Sequence, residues 1–238
     1  MKKMDVRALC EKLKRAGVVG AGGAGFPTYA KIGEGIDTVI LNCAECEPFI
    51  TANHRLLLEH PASVVNGIKI LLKALEVRCA YIAIEDNKLD AAEKLGTQIV
   101  SAAQNMTFTL GRARVTFIGP ARTQHTDSRD DGLTLRIDYE QTSVVVTGCI
   151  TSNGEKEIVS SGAAAACDAL IVSRGGTEAA TCAEWVEAAK PKVALITGKN
   201  PANSVRIRLQ KYGATVYAAK ENGVMTLFSD GQEITVEP

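Results

Sequence analysis

Asp37-Thr38-Val39-Ile40-Leu41-Asn42-Cys43-Ala44-Glu45-Cys46-Glu47-Pro48 decides the fold class of this 238-residue chain, because an apolar run of strand type passes straight into a polar, acidic loop. Open α/β sheets bind ligands beyond the carboxyl ends of their strands, at such a junction. Upstream stands Gly20-Ala21-Gly22-Gly23-Ala24-Gly25-Phe26-Pro27-Thr28, with four glycines in six residues and Lys31 three positions on. Glycine tolerates positive φ and has no Cβ, so such a bend can turn its N–H groups into one concavity around an anion. With the lysine beside it, the stretch reads as a phosphate cradle.

Working outward, Val6, Leu9, Cys10 and Leu13 share one face of a helix over 5–16, stopped by Gly17. Past the acidic loop, Thr51 caps a short helix to His60, and Pro61 opens a second helix to Leu75. A strand over 77–85 and a helix over 89–104 complete a β-α-β-α alternation, for which parallel pairing is expected. From residue 106 the texture changes to four β-rich runs, 106–110, 113–118, 133–139 and 143–147. Alternation then returns with helices over 154–161, 178–189 and 201–212 and strands over 168–173, 192–197 and 214–218. A hairpin of 223–228 with 232–236 closes the chain around Asp230-Gly231. The domain boundary is placed at residue 105, giving 1–105 and 106–238.

Lys+Arg and Asp+Glu both total 27 and no basic run concentrates charge, which argues against nucleic acid or anionic lipid as a partner. No 18-residue apolar window exists and the N-terminus has no signal core, so no membrane insertion is expected and the location reads as cytoplasmic. Seven scattered cysteines fit reduced thiols rather than a disulfide framework. Cys43 and Cys46 lack a second pair at metal spacing, and no metal is expected there. His54 and Arg55 read as surface or capping residues, His125 as solvated, Asp127, Asp130 and Asp131 as a charged loop, Cys149 as a buried thiol and Trp185 as core.

Residues 17–28 with Lys31 resemble the flavin-binding glycine loop of the C subunit of Rnf-type electron-transport complexes and of the related NADH-oxidising subunit of respiratory complex I. Three further stretches agree in order and spacing: 42–48; Thr51-Ala52-Asn53-His54-Arg55-Leu56 with Glu59-His60-Pro61; and Tyr81-Ile82-Ala83-Ile84-Glu85-Asp86-Asn87-Lys88. The resemblance covers residues 5–104, and no continuation is read beyond them. It implies a Rossmann-like parallel βαβ half. It further implies that Gly20, Gly22, Gly23 and Gly25 with Lys31 receive the FMN phosphate and isoalloxazine edge, that Asn42 and Glu45 hydrogen-bond the flavin or its ribityl chain, and that Glu47 and Phe26 meet NADH. No residue is assigned as catalytic, since the cofactor carries the chemistry.

Residues 108–236 resemble the C-terminal half of the metallo-β-lactamase-type domain of competence proteins related to ComEC, through 110–120, 133–139, 144–149, 168–172, 185–196 and 209–214. That half lacks the family's ligands: Cys149 stands where the bridging aspartate belongs, and Arg174 and Gly175 where paired histidines belong. Two-metal hydrolysis needs several imidazoles and carboxylates around paired ions, and the chain has three histidines in all. The expectation is therefore an α/β protein of two halves that binds FMN and NADH as an electron-transfer or redox-accessory protein. With an intact pocket it would be an NADH:flavin oxidoreductase serving a redox partner or electron-transport complex; a homo-oligomer stays open. The alternatives are a non-catalytic scaffold that kept its packing and lost its sites, a residual hydrolase, and a recombined chain joining two half-domains.

Overall fold

The computed structural model describes residues 6–20, 25–33, 35–45 and 49–237. The chain divides into two units, Met1–Ser101 and Ala102–Pro238.

In the first unit, α1 (Val6–Arg15) buries Leu9 and ends before Gly17, whose φ of 63° supplies the left-handed stop. Strands β1 (Thr38–Asn42) and β2 (Cys79–Ala83) pair in parallel, from Thr38 opposite Cys79 to Asn42 opposite Ala83. Parallel neighbours need a crossover, which α2 (Ala52–Glu59) and α3 (Pro61–Leu75) provide. Pro61 sits in the first turn of α3, where its missing N–H costs nothing. Side chains of a strand alternate between faces. Leu41 and Ile82 accordingly point to a core of Cys43, Leu57, Ala91 and Leu95, while their neighbours Ile40 and Tyr81 face outward and are about half exposed. After β2 comes a 3-10 turn (Asp86–Lys88) and then α4 (Leu89–Lys94). The helix expected over 89–104 ends at Lys94, because Gly96 adopts a φ of 62° that a right-handed helix does not allow.

The second unit carries a seven-stranded sheet whose strands lie in chain order. Its antiparallel part is β3 (Thr107–Leu110), β4 (Ala113–Gly119), β5 (Thr134–Tyr139) and β6 (Thr142–Val146). Parallel to β6 and to one another follow β7 (Ala169–Ile171), β8 (Val193–Ile196) and β9 (Thr215–Ala218). The connections hold α5 (Ser152–Ser160), α6 (Ala183–Ala189) and α7 (Asn203–Lys211). A short α8 (Ala219–Asn222) and the hairpin of β10 (Thr226–Ser229) with β11 (Ile234–Glu237) close the chain.

Ile118, Val145, Ile158, Leu170, Trp185, Ile196 and Leu209 are fully enclosed in this unit's core. Each contributes roughly 1.5–3 kcal/mol by leaving water. Strand β4 lies so close to α5 that a Cβ on Gly119 would come within 2.4 Å of Ile158 Cδ1. The helix expected over 178–189 begins only at Ala183, because Thr181 has a φ of 58° and the buried carboxylate of Glu155 takes over the helix start. Glu155 accepts hydrogen bonds from Thr181 N at 2.6 Å, from Cys182 N at 2.7 Å and from the Ser173 hydroxyl. Burial pushes its carboxyl above the ordinary range, and these donors work in the opposite direction.

Candidate functional site

The glycine bend is closed like a clasp. Gly20 N donates to Phe26 O at 2.9 Å, Thr28 N donates to Val18 O at 3.0 Å, and Val19 and Pro27 form an antiparallel bridge. Gly25, at a φ of 64°, takes the left-handed turn that lets the two arms meet. Gly22 and Gly23 lie outside the described residues. A 3-10 turn, Thr28–Lys31, then folds Lys31 back over the bend. Its ammonium sits 5.6 Å from the centre of the Phe26 ring and 3.3 Å from where a Cβ on Gly20 would stand. Three expected residues thus converge: Gly20 leaves the space, Lys31 brings the cation, and half-exposed Phe26 offers a ring face. Helix α1 braces the turn from behind, with Lys14 Nζ 5.5 Å from the Tyr29 ring centre.

A second group forms at the carboxyl ends of β1 and β2. Cys43 N donates to Ala83 O at 2.8 Å, prolonging the parallel ladder by one rung. Asn42 Oδ1 accepts from Ala44 N at 3.1 Å, turning the chain away from the strand. Glu45 N donates to Glu85 Oε1 at 2.8 Å, so the loop after β1 is tied to the loop after β2. Glu45 Oε1 in turn accepts from Asn53 N at 2.7 Å and His54 N at 3.1 Å, capping the start of α2 in place of Thr51, whose side chain makes no cap bond. The expected flavin contact of Glu45 therefore shares its carboxylate with a structural task. Glu47 and Cys46 lie outside the described residues.

Glu85 carries no role in the sequence reading, and the structure gives it one. Its Oε2 is shielded from solvent and has no hydrogen-bond partner among the described residues. Only its place at the end of a strand, in the stretch 81–88, could have pointed to it. Next to this group His54 Nε2 meets Asp90 Oδ1 at 2.9 Å, and that contact holds Asp90 below the usual carboxylate range. Burial pushes the Cys43 thiol up, and the charges of Glu45 and Glu85 push it further. The thiolate, the form that binds metals and attacks electrophiles, is disfavoured there. Among the described residues no group of three or more His, Cys, Asp or Glu is placed to hold a metal ion.

In the second unit two expectations are corrected. The His125 side chain is enclosed, not solvated: it is 5% exposed and lies between Asp131 and Glu157. Cys149 is exposed, because it follows the left-handed Gly148 at the surface end of β6. Each aspartate of the charged loop has a protein partner: Asp127 pairs with Arg129, Asp130 accepts from Thr151 N at 2.7 Å, and Asp131 meets His125. Arg174 and Gly175 lie in a left-handed turn, with Arg174 N bonded to Gly148 O at 2.9 Å.

The sequence model of the Nuo51 FMN-binding domain matches residues 13–154, which carries the likeness past residue 104 and through β3 to β6. The C subunit of the Na(+)-translocating ferredoxin:NAD(+) oxidoreductase complex of Acetobacterium woodii is 42% identical over 99 residues, covering 40% of this chain and 22% of that protein. The C subunit of the ion-translocating oxidoreductase complex of Yersinia enterocolitica is 48% identical over 94 residues, covering 38% of this chain and 14% of that protein. The chain thus spans less than a quarter of the length of these relatives. Among solved structures, a mutant of the CmlA beta-hydroxylase covers 83% of this chain and 46% of its own at a TM-score of 0.41 and 15% identity, a likeness too loose to assign a fold.

Proposed function

The chain belongs to the family of the Nuo51 FMN-binding domain, and we propose that its first unit binds FMN and serves electron transfer. The clasped glycine bend carries this reading, since it combines a missing Cβ with an ammonium 3.3 Å from where that Cβ would stand. The residues fit the cofactor's chemistry. A phosphate asks for backbone N–H donors and a cation, and an apolar ring asks for a face such as Phe26. In this reading Gly20 lets the phosphate approach, Lys31 neutralises it, and Gly22, Gly23 and Gly25 complete the cradle. Asn42 and Glu45 would orient the ribityl chain, while Glu47 and Phe26 would receive NADH. Bound flavin supplies hydride acceptance and electron release; the protein supplies position, charge and exclusion of water.

The two relatives named above are C subunits of ion-translocating complexes, so the partner in this reading is an electron-transport complex. Among the described residues no helix is long and apolar enough to cross a membrane. Strands β3 to β6 of the second unit fall within the FMN-domain match; its remainder, beyond residue 154, we read as metallo-β-lactamase-like without the imidazoles that hydrolysis requires. One observation favours the scaffold reading instead: Glu45 Oε1 already serves the start of α2. Titration of the protein with FMN, followed by quenching of flavin fluorescence, separates the two. Saturable binding and bleaching of the bound flavin on adding NADH support electron transfer; no quenching supports the scaffold.

A further inference from the structure

The carboxyl end of β2 holds an acceptor oxygen with nothing to bond. Glu85 Oε1 accepts from Glu45 N at 2.8 Å, whereas Glu85 Oε2 is out of reach of solvent and has no partner among the described residues. An ionised carboxylate only accepts hydrogen bonds, and leaving a shielded acceptor unmet is costly enough that each case calls for an explanation. The place is telling, because Glu85 lies beyond the ends of two parallel strands, where α/β sheets receive ligands. Its other oxygen fixes the loop that carries Glu45, and Glu45 fixes the start of α2. One side chain therefore connects the acidic loop, the helix behind it and a shielded acceptor left unmet.

We propose that Glu85 is a positioning residue for the flavin, accepting through Oε2 a hydrogen bond from a donor of the cofactor, either the ring imide N–H or a ribityl hydroxyl. The assignment rests on the FMN reading above. It gives Glu85 two tasks through two oxygens, holding the loop with one and the ligand with the other.

Glu85→Gln separates the tasks, because the amide oxygen can still accept from Glu45 N while the amide nitrogen turns the second acceptor into a donor. FMN affinity, read by fluorescence quenching, is expected to fall about tenfold to a hundredfold, the range of a hydrogen bond to a charged group. The urea midpoint of the FMN-free variant should match that of the wild type. 3-Methyl-FMN lacks the imide N–H and 2′-deoxy-FMN lacks one ribityl hydroxyl; whichever supplies the donor binds the wild type more weakly than FMN and loses nothing further in Glu85→Gln. Equal FMN affinity in wild type and variant overturns the proposal, with Oε2 then met by a buried water. Should the variant not fold, equal binding of all three flavins by the wild type overturns it. A wild type that binds no FMN removes the flavin reading itself, and this assignment with it.

Discussion

Two glutamates show how differently a carboxylate can be used. Glu155 has no exposed surface, and both its oxygens are met by donors that start α6. Glu155→Gln should therefore destabilise the protein by about 1–3 kcal/mol, since the new amide N–H faces a backbone N–H and leaves donors unmet. Urea unfolding followed by the emission of Trp185, the single tryptophan, measures this; an unchanged midpoint contradicts it. Glu85, with one oxygen unmet, is the opposite case. At this scale the glycine bend was legible in the sequence, because Gly20 and Lys31 carry their meaning in residue type and spacing alone. Glu85 and Glu155 were not, since each acts on amides 40 and 26 or 27 positions away, brought near only by the sheet.

At the scale of elements, the connection from β4 to β5 is latched onto α5 through His125. Its Nδ1 lies 2.8 Å from Asp131 Oδ1 and its Nε2 lies 2.7 Å from Glu157 Oε2. A neutral imidazole has one N–H, so two carboxylates can be satisfied together only by the imidazolium. Arg122 grips Glu157 from the other side, through Nε at 3.1 Å and Nη2 at 2.7 Å. The two carboxylates raise the pKa of His125 above its ordinary 6.5, while Glu157 is held down to about 2 and Asp131 is lowered. A raised histidine contributes stability that is complete below 6.5 and is lost as pH rises through its folded pKa. The depressed carboxylates contribute above their ordinary values and lose that contribution as pH falls toward 2. The latch is thus strongest in mildly acidic solution. The wild type should lose about 1 kcal/mol in urea stability between pH 6 and pH 8.5, on the scale of one charge-assisted hydrogen bond. His125→Gln should remove most of that difference, and an equal pH dependence in both proteins contradicts the latch. Strands and most helices were legible from periodicity, whereas the shortened α4 and α6 were not, because Gly96 and Glu155 override the helical pattern.

On the scale of the whole molecule, the apolar residues build two separate cores, one around Leu57 and Ala91 and one around Trp185 and Leu209. The larger core lies under the parallel strands of the second unit, and Leu209→Ala should cost about 2–5 kcal/mol there. Trp185 emission should report that loss as an earlier unfolding transition; a shift below about 0.5 kcal/mol, the range of surface substitutions, contradicts the assignment. The change of texture near residue 106 and the mixed α/β character were readable from sequence. The reach of the family likeness to residue 154 was not, because short β-rich runs carry few motif residues. The proposed function rests on the first unit, and within it on the bend beneath Lys31. The most direct measurement is a titration of wild type and Lys31→Ala with FMN and with riboflavin, which lacks the phosphate. The account predicts that the substitution weakens FMN about tenfold or more and weakens riboflavin far less, since the proposal assigns the ammonium chiefly to the phosphate. Equal FMN affinity in both proteins, or riboflavin bound as tightly as FMN by the wild type, contradicts it.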